Sequence, residues 1–293
     1  MFKEKLSQKA KYIEKLIEKY SYKVEYPSVI YESMRYSINA GGKRIRPILL
    51  METAKMFDSE NTDYERLSVA IEMIHTYSLI HDDLPAMDDD ELRRGKPTNH
   101  IVYGENMAIL AGDGLLNNAY ELMLSGYADA KNKDEYIKAV SEIAKAAGVL
   151  GMVGGQVADI LSETNEVSAE VLDYIHNHKT GALLCASINA GAILSQCSDM
   201  ELDCVSRYAT AIGRMFQIVD DILDVVGDEK TLGKKVGVDS EHNKLTYPHF
   251  YGLEQSYAEV DRLYDEAINA VKVLGEKAEF LNELAVFLKE RKN

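Results

Sequence analysis

Two short stretches gather carboxylates at spacings that can do chemistry. HDDLPAMDDDELRRGKPTNH, His81 to His100, sets Asp82, Asp83, Asp88, Asp89, Asp90 and Glu91 within ten residues, then Arg93 and Arg94. FQIVDDILDVVGD carries Asp220, Asp221 and Asp224, with Gln217 three residues before Asp220. On a helix, Asp220 and Asp221 each stack on Asp224, and like charges stacked this way are unfavourable unless a cation neutralises them. For either run alone a solvated acidic face is the commoner reading. Both runs, however, are embedded in apolar helix sequence, where acid groups need a charge partner. Oxygen ligands without an EF-hand loop suit Mg²⁺, which binds one or two carboxylates and completes its shell with waters and substrate phosphates.

Asp82 and Asp83 fall in the last turn of an apolar helix, LSVAIEMIHTYSLIHDD, against the negative end of its dipole. Pro85 lacks an N–H and crowds the carbonyl of His81, so the helix must break there. That break can swing Asp88 back toward Asp82. Asp89, Asp90 and Glu91 read as a solvated or helix-capping extension.

Basic residues recur beside glycines. GGKRIRP supplies Lys43, Arg44 and Arg46; LRRGKP supplies Arg93, Arg94 and Lys96; HKTGALL supplies Lys179 and Thr180. Val226 to Lys244, rich in Gly, Asp and Lys, reads as a lid-like loop with Lys230, Lys234, Lys235 and Lys244. Arg forks match phosphate oxygens and Lys acts as a mobile point charge. Any one basic cluster is more often a solubilising patch, but Lys179 enters an apolar small-residue run and marks a kinked, functional turn. His75, two turns before Asp82, can lean toward an anion bound near the same helix. G-x-S-x-G, P-loop and H-E-x-x-H patterns are absent.

Helical periodicity runs almost throughout, and it is helices that must position these groups. Helices are expected at about 2–20, 27–40, 47–57, 63–84, 105–128, 134–162, 168–178 continuing to 197, 200–226, 245–251, 255–273 and 277–291. No strand alternation persists, and no linker or repeat divides residues 1–293. The expectation is one all-α domain, a helical bundle with long central helices. A net charge of −15 leaves nucleic acid a poor partner, so an anionic ligand needs a metal or a local basic cluster as a bridge. Cys185, Cys197 and Cys204 form no CxxC pair and read as buried thiols of a reducing cytoplasm. The charged N-terminal stretch has no signal-peptide core, and the most apolar stretches, Ala146–Leu161 and Gly181–Ser195, are short and broken by polar residues, so nothing is expected to span a bilayer.

DDLPAMD and DDILD, about 140 residues apart, together with GGKRIRP, LRRGKPTNH, GGQVAD, KTGAL and GKKVGVD…NK, resemble the trans-isoprenyl diphosphate synthases, in particular the bacterial farnesyl diphosphate synthase type. The resemblance spans essentially the whole chain. It implies a helical fold around a deep central cavity, usually a homodimer. It also implies Mg²⁺-dependent head-to-tail condensation of isopentenyl diphosphate with dimethylallyl and geranyl diphosphate. About three Mg²⁺ per active site are implied, with Mn²⁺ as a substitute. Asp82 and Asp88, with Asp83 nearby, would be the first-cluster ligands. Asp220 would lead the second, supported by Asp221 and Asp224. Arg93, Lys179, Gln217 and Lys234 would hold the allylic diphosphate; Lys43, Arg46, His75 and Arg94 would hold isopentenyl diphosphate. Thr180 would steady the allylic cation and Lys244 would close the lid.

Tyr77 and Ser78 lie about one turn before Asp82, and either Tyr77 is a floor that stops growth near C15 or it is a core tyrosine. An aromatic here with two extra residues in DDLPAMD resembles the farnesyl type. Geranyl and geranylgeranyl synthases are the alternatives within the family. A non-catalytic helical metal- or partner-binding subunit, and a diphosphate hydrolase or terpene cyclase, are the alternatives of other classes. A complete second diphosphate set weighs against those, because a single-substrate enzyme does not require it.

Overall fold

The computed structural model describes residues 2–21, 23–58, 60–162, 168–226 and 246–291. Apolar residues at spacings of three and four dictate its layout. In α1 (Phe2–Tyr20) the buried Leu6, Ile13, Leu16 and Ile17 form one stripe, so this helix lies on the outside. In α4 (Tyr64–Asp82) and α10 (Ala182–Leu194) apolar residues surround the axis, and both helices are central. Between these come α2 (Ser28–Ile38) and α3 (Ile45–Phe57) before α4, then α5 (Asn99–Tyr103), α6 (Glu105–Gly126), α7 (Lys133–Ala147), α8 (Met152–Ser162) and α9 (Ala169–Ile175). After α10 follow α11 (Asp199–Val226), α12 (Tyr247–Val271) and α13 (Glu279–Lys289). Helix α4 packs on α6 and α3, α10 on α3 and α7, and α11 on α10 and α12. The fold is all-α, as expected.

Several boundaries differ from expectation. The stretch 134–162 is two helices, parted at residues 148–151, where Gly148 closes α7 and Gly151 packs hard on the Ala146 carbonyl. By length and composition Lys133–Ser162 is apolar enough to cross a membrane, contrary to the expectation from its polar interruptions. In the fold it is instead the broken pair α7 and α8, with α7 against α10. The expected helix 168–197 passes through a π-helical turn, His176–Gly181, between α9 and α10. Single-turn π insertions are frequent at functional sites, and this one carries Lys179 and Thr180. Helix α12 kinks at Gly252 (φ 77°), and a 3₁₀ turn, Lys272–Ala278, separates it from α13.

The one extended feature among the described residues is a two-stranded ribbon, β1 (Leu92–Arg93) against β2 (Lys96–Pro97). Arg94 and Gly95, both at positive φ (55° and 75°), form its turn, the backbone that a right-twisted two-residue hairpin requires.

Candidate active site

The break after α4 does what Pro85 demands. The N–H of Asp88 donates to the Asp82 carbonyl at 2.8 Å, which brings the two acids together. Burial pushes the Asp82 carboxyl up to about 6, Asp88 adds to the rise, and Lys179 opposes it. This is a carboxylate pair that favours a cation. Asp83 is buried and turns to Arg93, which reaches its Oδ1 through Nε at 2.6 Å and Nη2 at 2.5 Å. Arg93, expected on a diphosphate, is therefore engaged with Asp83 in this structure. Asp89 adopts a left-handed turn (φ 53°), Asp90 lies 3.5 Å from Arg93, and Thr98 bonds the carbonyls of Asp90 and Glu91. These three residues open the hairpin rather than cap a helix.

The second cluster lies on the last two turns of α11. Asp220 pairs with Arg291 at 2.6 Å. Asp221 is buried and both its oxygens are engaged. Oδ1 accepts from Gln217 Nε2 at 3.0 Å; Oδ2 accepts the Tyr247 N–H at 2.8 Å and lies 3.3 Å from His176 Nε2. Asp221, expected as a supporting metal ligand, thus orients Gln217 and ties α11 to α12 and the π turn. Asp224 is buried, and its Oδ1 has no hydrogen-bond partner among the described residues.

The π turn presses against α8. A Cβ on Gly155 would lie 2.1 Å from the Lys179 nitrogen, so only glycine permits this approach. One turn further along α8, Asp159 meets Lys179 Nζ at 2.5 Å. Gly155 and Asp159 both belong to GGQVAD. The partner of its Asp159, Lys179, lies 20 residues away in the chain.

The basic set collects around α3 and α4. Arg46 Nη1 lies 3.3 Å from His75 Nε2; the guanidinium donates, so the imidazole proton sits on Nδ1. Burial, followed by Arg46 and Arg94, holds His75 well below its ordinary pKa, so it is neutral at pH 7. Burial also lowers Arg46 to about 10, and its Nε has no hydrogen-bond partner among the described residues. Lys43 is lowered to about 8 by burial and by Arg291, against the pull of Asp220. Arg94 donates from Nη1 to the Gly41 carbonyl and lies on Gly42, where a Cβ would be 2.7 Å from Nη1. Lys234 and Lys244, with the lid they were expected to form, lie outside the described residues.

Some of these groups meet at one cavity of about 340 Å³, whereas Asp88, Asp220, Asp221, Asp224, Gln217, Lys43, Arg93 and Arg94 are not part of its lining. Arg46, His75, Asp82, Lys179, Thr180 and Gln156 supply its polar lining. Met152, Val153, Val157 and Ile160 of α8 supply an apolar one, with Leu79, Met87, Tyr77 and Ser78. Burial pushes the Tyr77 phenol up to about 12, and its ring meets His81 edge-on at 5.7 Å. Ser78 Oγ donates to the His75 carbonyl at 2.9 Å.

Among the described residues no three His, Cys, Asp or Glu side chains gather closely enough to hold a metal on their own. The Asp82–Asp88 pair and the orphaned Asp224 Oδ1 nevertheless fit a cation that takes its remaining ligands from a bound diphosphate, the usual habit of Mg²⁺.

The profile of the polyprenyl synthetase family matches residues 27–284. A farnesyl diphosphate synthase of Bacillus subtilis (strain 168) is 42% identical over 286 residues, covering 98% of this chain and 97% of that protein. A geranylgeranyl diphosphate synthase of Cyanophora paradoxa is 45% identical over 270 residues, 91% of this chain and 89% of that one. The crystal structure of an FPP/GFPP synthase from Zymomonas mobilis superposes with a TM-score of 0.87 at 34% identity, over 98% of each chain.

Proposed function

This chain belongs to the polyprenyl synthetase family of trans-prenyl diphosphate synthases, and we propose that it is a Mg²⁺-dependent farnesyl diphosphate synthase. It condenses isopentenyl diphosphate head-to-tail first with dimethylallyl and then with geranyl diphosphate. One observation carries the reading: a single cavity joins Asp82 and Lys179 to an apolar lining in which Tyr77 takes part.

Ionisation of the allylic C–O bond puts negative charge on the leaving diphosphate and positive charge on carbon. Asp82, Asp88, Asp220 and Asp224 would hold Mg²⁺, which when bound would supply Lewis-acid stabilisation of that leaving group. Lys179, held by Asp159 until substrate arrives, adds a donor aimed at the diphosphate. The Thr180 hydroxyl and the Gln217 amide, oriented by Asp221, turn dipoles toward the carbocation. Lys43, Arg46, Arg94 and neutral His75 hold isopentenyl diphosphate through its phosphates, so its double bond faces the cation. The released diphosphate accepts the final proton.

Chain length follows from the apolar lining. Tyr77 stops growth at C15, and Tyr77→Ala is expected to yield C20 and longer products on chromatography. Unchanged C15 output would remove Tyr77 as the floor. The 45% identical geranylgeranyl diphosphate synthase keeps a C20 product as the second reading. The deciding experiment supplies Mg²⁺, dimethylallyl and isopentenyl diphosphate, with and without chelator, and measures product chain length. A C20 product from the unaltered protein corrects the length, and no prenyl product at all sinks the reading.

The enzyme acts as a homodimer in the cytoplasm. Val149 and Leu150 just before α8 and Leu161 near its end are exposed aliphatic residues that do not line the cavity, the kind of surface an interface covers. The three cysteines are free thiols, which suits a reducing compartment. Sedimentation analysis checks the dimer.

A further inference from the structure

Arg44 and Glu72 form an ion pair that the chemistry above does not use. Nη1 lies 2.5 Å from Oε1, and only 1% and 3% of the two side chains remain exposed. Arg44 Nη2 donates to the Ile38 carbonyl at 2.7 Å. Neither residue lines the catalytic cavity. Taking two ions out of water costs more than their attraction reliably returns, and apolar residues of similar volume often serve a fold at least as well. Stability alone therefore gives a poor reason for the pair.

Its location gives a better one. Arg44 stands between Lys43 and Arg46, in a left-handed conformation (φ 51°) immediately before α3. Glu72 precedes His75 by one turn of α4, and the Thr76 hydroxyl bonds the Glu72 carbonyl at 2.7 Å. The pair thus joins the loop that bears Lys43, and with it the first turn of α3 that bears Arg46, to the helix that bears His75. Arg94 is tied to the same loop through the Gly41 carbonyl. Three guanidiniums, of Arg44, Arg46 and Arg94, and the His75 ring are gathered here. Glu72 is the leading influence that opposes the lowering of Arg46 and Arg94 by burial.

We propose that the Arg44–Glu72 pair is the positioning unit of the isopentenyl diphosphate site. Arg44 pins the 41–44 loop and the start of α3 to α4, and Glu72 supplies the counter-charge that lets Arg46 and Arg94 stand close together before the substrate arrives. Neither touches substrate. The inference rests on the functional reading above, which assigns the second diphosphate to this basic set.

The test compares the unaltered enzyme with Glu72→Gln, which keeps shape and an acceptor but removes the charge, and with the double variant Arg44→Met/Glu72→Leu, which replaces the pair by apolar volume. Steady-state constants are measured for both substrates, with melting temperature and equilibrium binding of isopentenyl diphosphate alone. The expected result is a KM for isopentenyl diphosphate raised about tenfold or more, with the KM for geranyl diphosphate and kcat changed less than about threefold. The double variant is expected to regain thermal stability without regaining that affinity. Two results overturn the proposal: an acceptor KM that moves no more than the allylic KM, or a double variant that recovers stability and acceptor affinity together, which marks a plain structural staple. An unaltered enzyme that condenses normally beside unaffected variants sinks this inference alone. An unaltered enzyme that never consumes isopentenyl diphosphate sinks the functional reading and this inference with it.

Discussion

The two acid clusters are built on opposite principles. At the end of α4, Asp82 is held beside Asp88 and carries a carboxyl that burial and like charge both disfavour. On α11, Asp220 faces Arg291, while Asp221 is saturated by Gln217, His176 and the Tyr247 N–H. The first cluster stores electrostatic frustration that a cation can relieve. The second is largely neutralised by the protein and contributes as much to architecture as to ligand binding. Two motifs that look alike in sequence therefore differ in what they leave open: the first sets Asp82 beside Asp88 while Asp83 is held by Arg93, and the second commits Asp220 and Asp221 to partners and leaves the buried Asp224 Oδ1 without one among the described residues.

Substitutions can break or sharpen that contrast. The largest effect is expected from Asp82→Ala, which should lower turnover about 10³-fold or more in a product-formation assay while the protein stays folded. Near-normal rates would end the assignment of Asp82 to metal. Stability should move the other way between the clusters. Asp221→Ala leaves the Gln217 amide and the Tyr247 N–H without their acceptor and should cost about 2–3 kcal/mol in urea unfolding. Asp82→Asn, measured in chelator, should be neutral or stabilising by up to about 1 kcal/mol. Equal losses from both variants would erase the distinction.

A third effect is read against pH. The lowered pKa of Lys43, about 8, means that this group is charged below that value and neutral above it. kcat/KM for isopentenyl diphosphate should therefore fall as pH rises past about 8, and Lys43→Arg should remove that limb. An unchanged profile in the Arg variant would show that another group sets it. The smallest effect concerns Arg291. Arg291→Ala removes the cation facing Asp220 and should tighten Mg²⁺ binding a few-fold by calorimetry in the presence of diphosphate, since partly exposed pairs are worth about 1 kcal/mol or less. Weaker binding would make Arg291 a contributor to the site rather than a competitor.

Much of the fold was legible because helix periodicity is local. The stripes of α1 and α11, the break at Pro85 and the irregular turn at Lys179 all follow from residues within a few positions of one another. The hairpin at 92–97 escaped notice because strands of two residues show no alternation, and only the Arg94–Gly95 turn could have signalled it. The division of 134–162 was signalled by Gly148 and Gly151, but its apolar content masked them.

The site divides along the same line. Sequence alone determined which side chains carry charge, that Asp220 and Asp224 share a helix face, and that Lys43, Arg44 and Arg46 travel together, since covalent spacing sets these relations. Tertiary structure alone decided which partner each charge meets: Asp83 with Arg93, Lys179 with Asp159, Asp220 with Arg291, Arg44 with Glu72. The physical reason is range. A helix turn relates neighbours three or four residues apart, whereas an ion pair forms wherever packing brings two charges together, however far apart they lie in the chain.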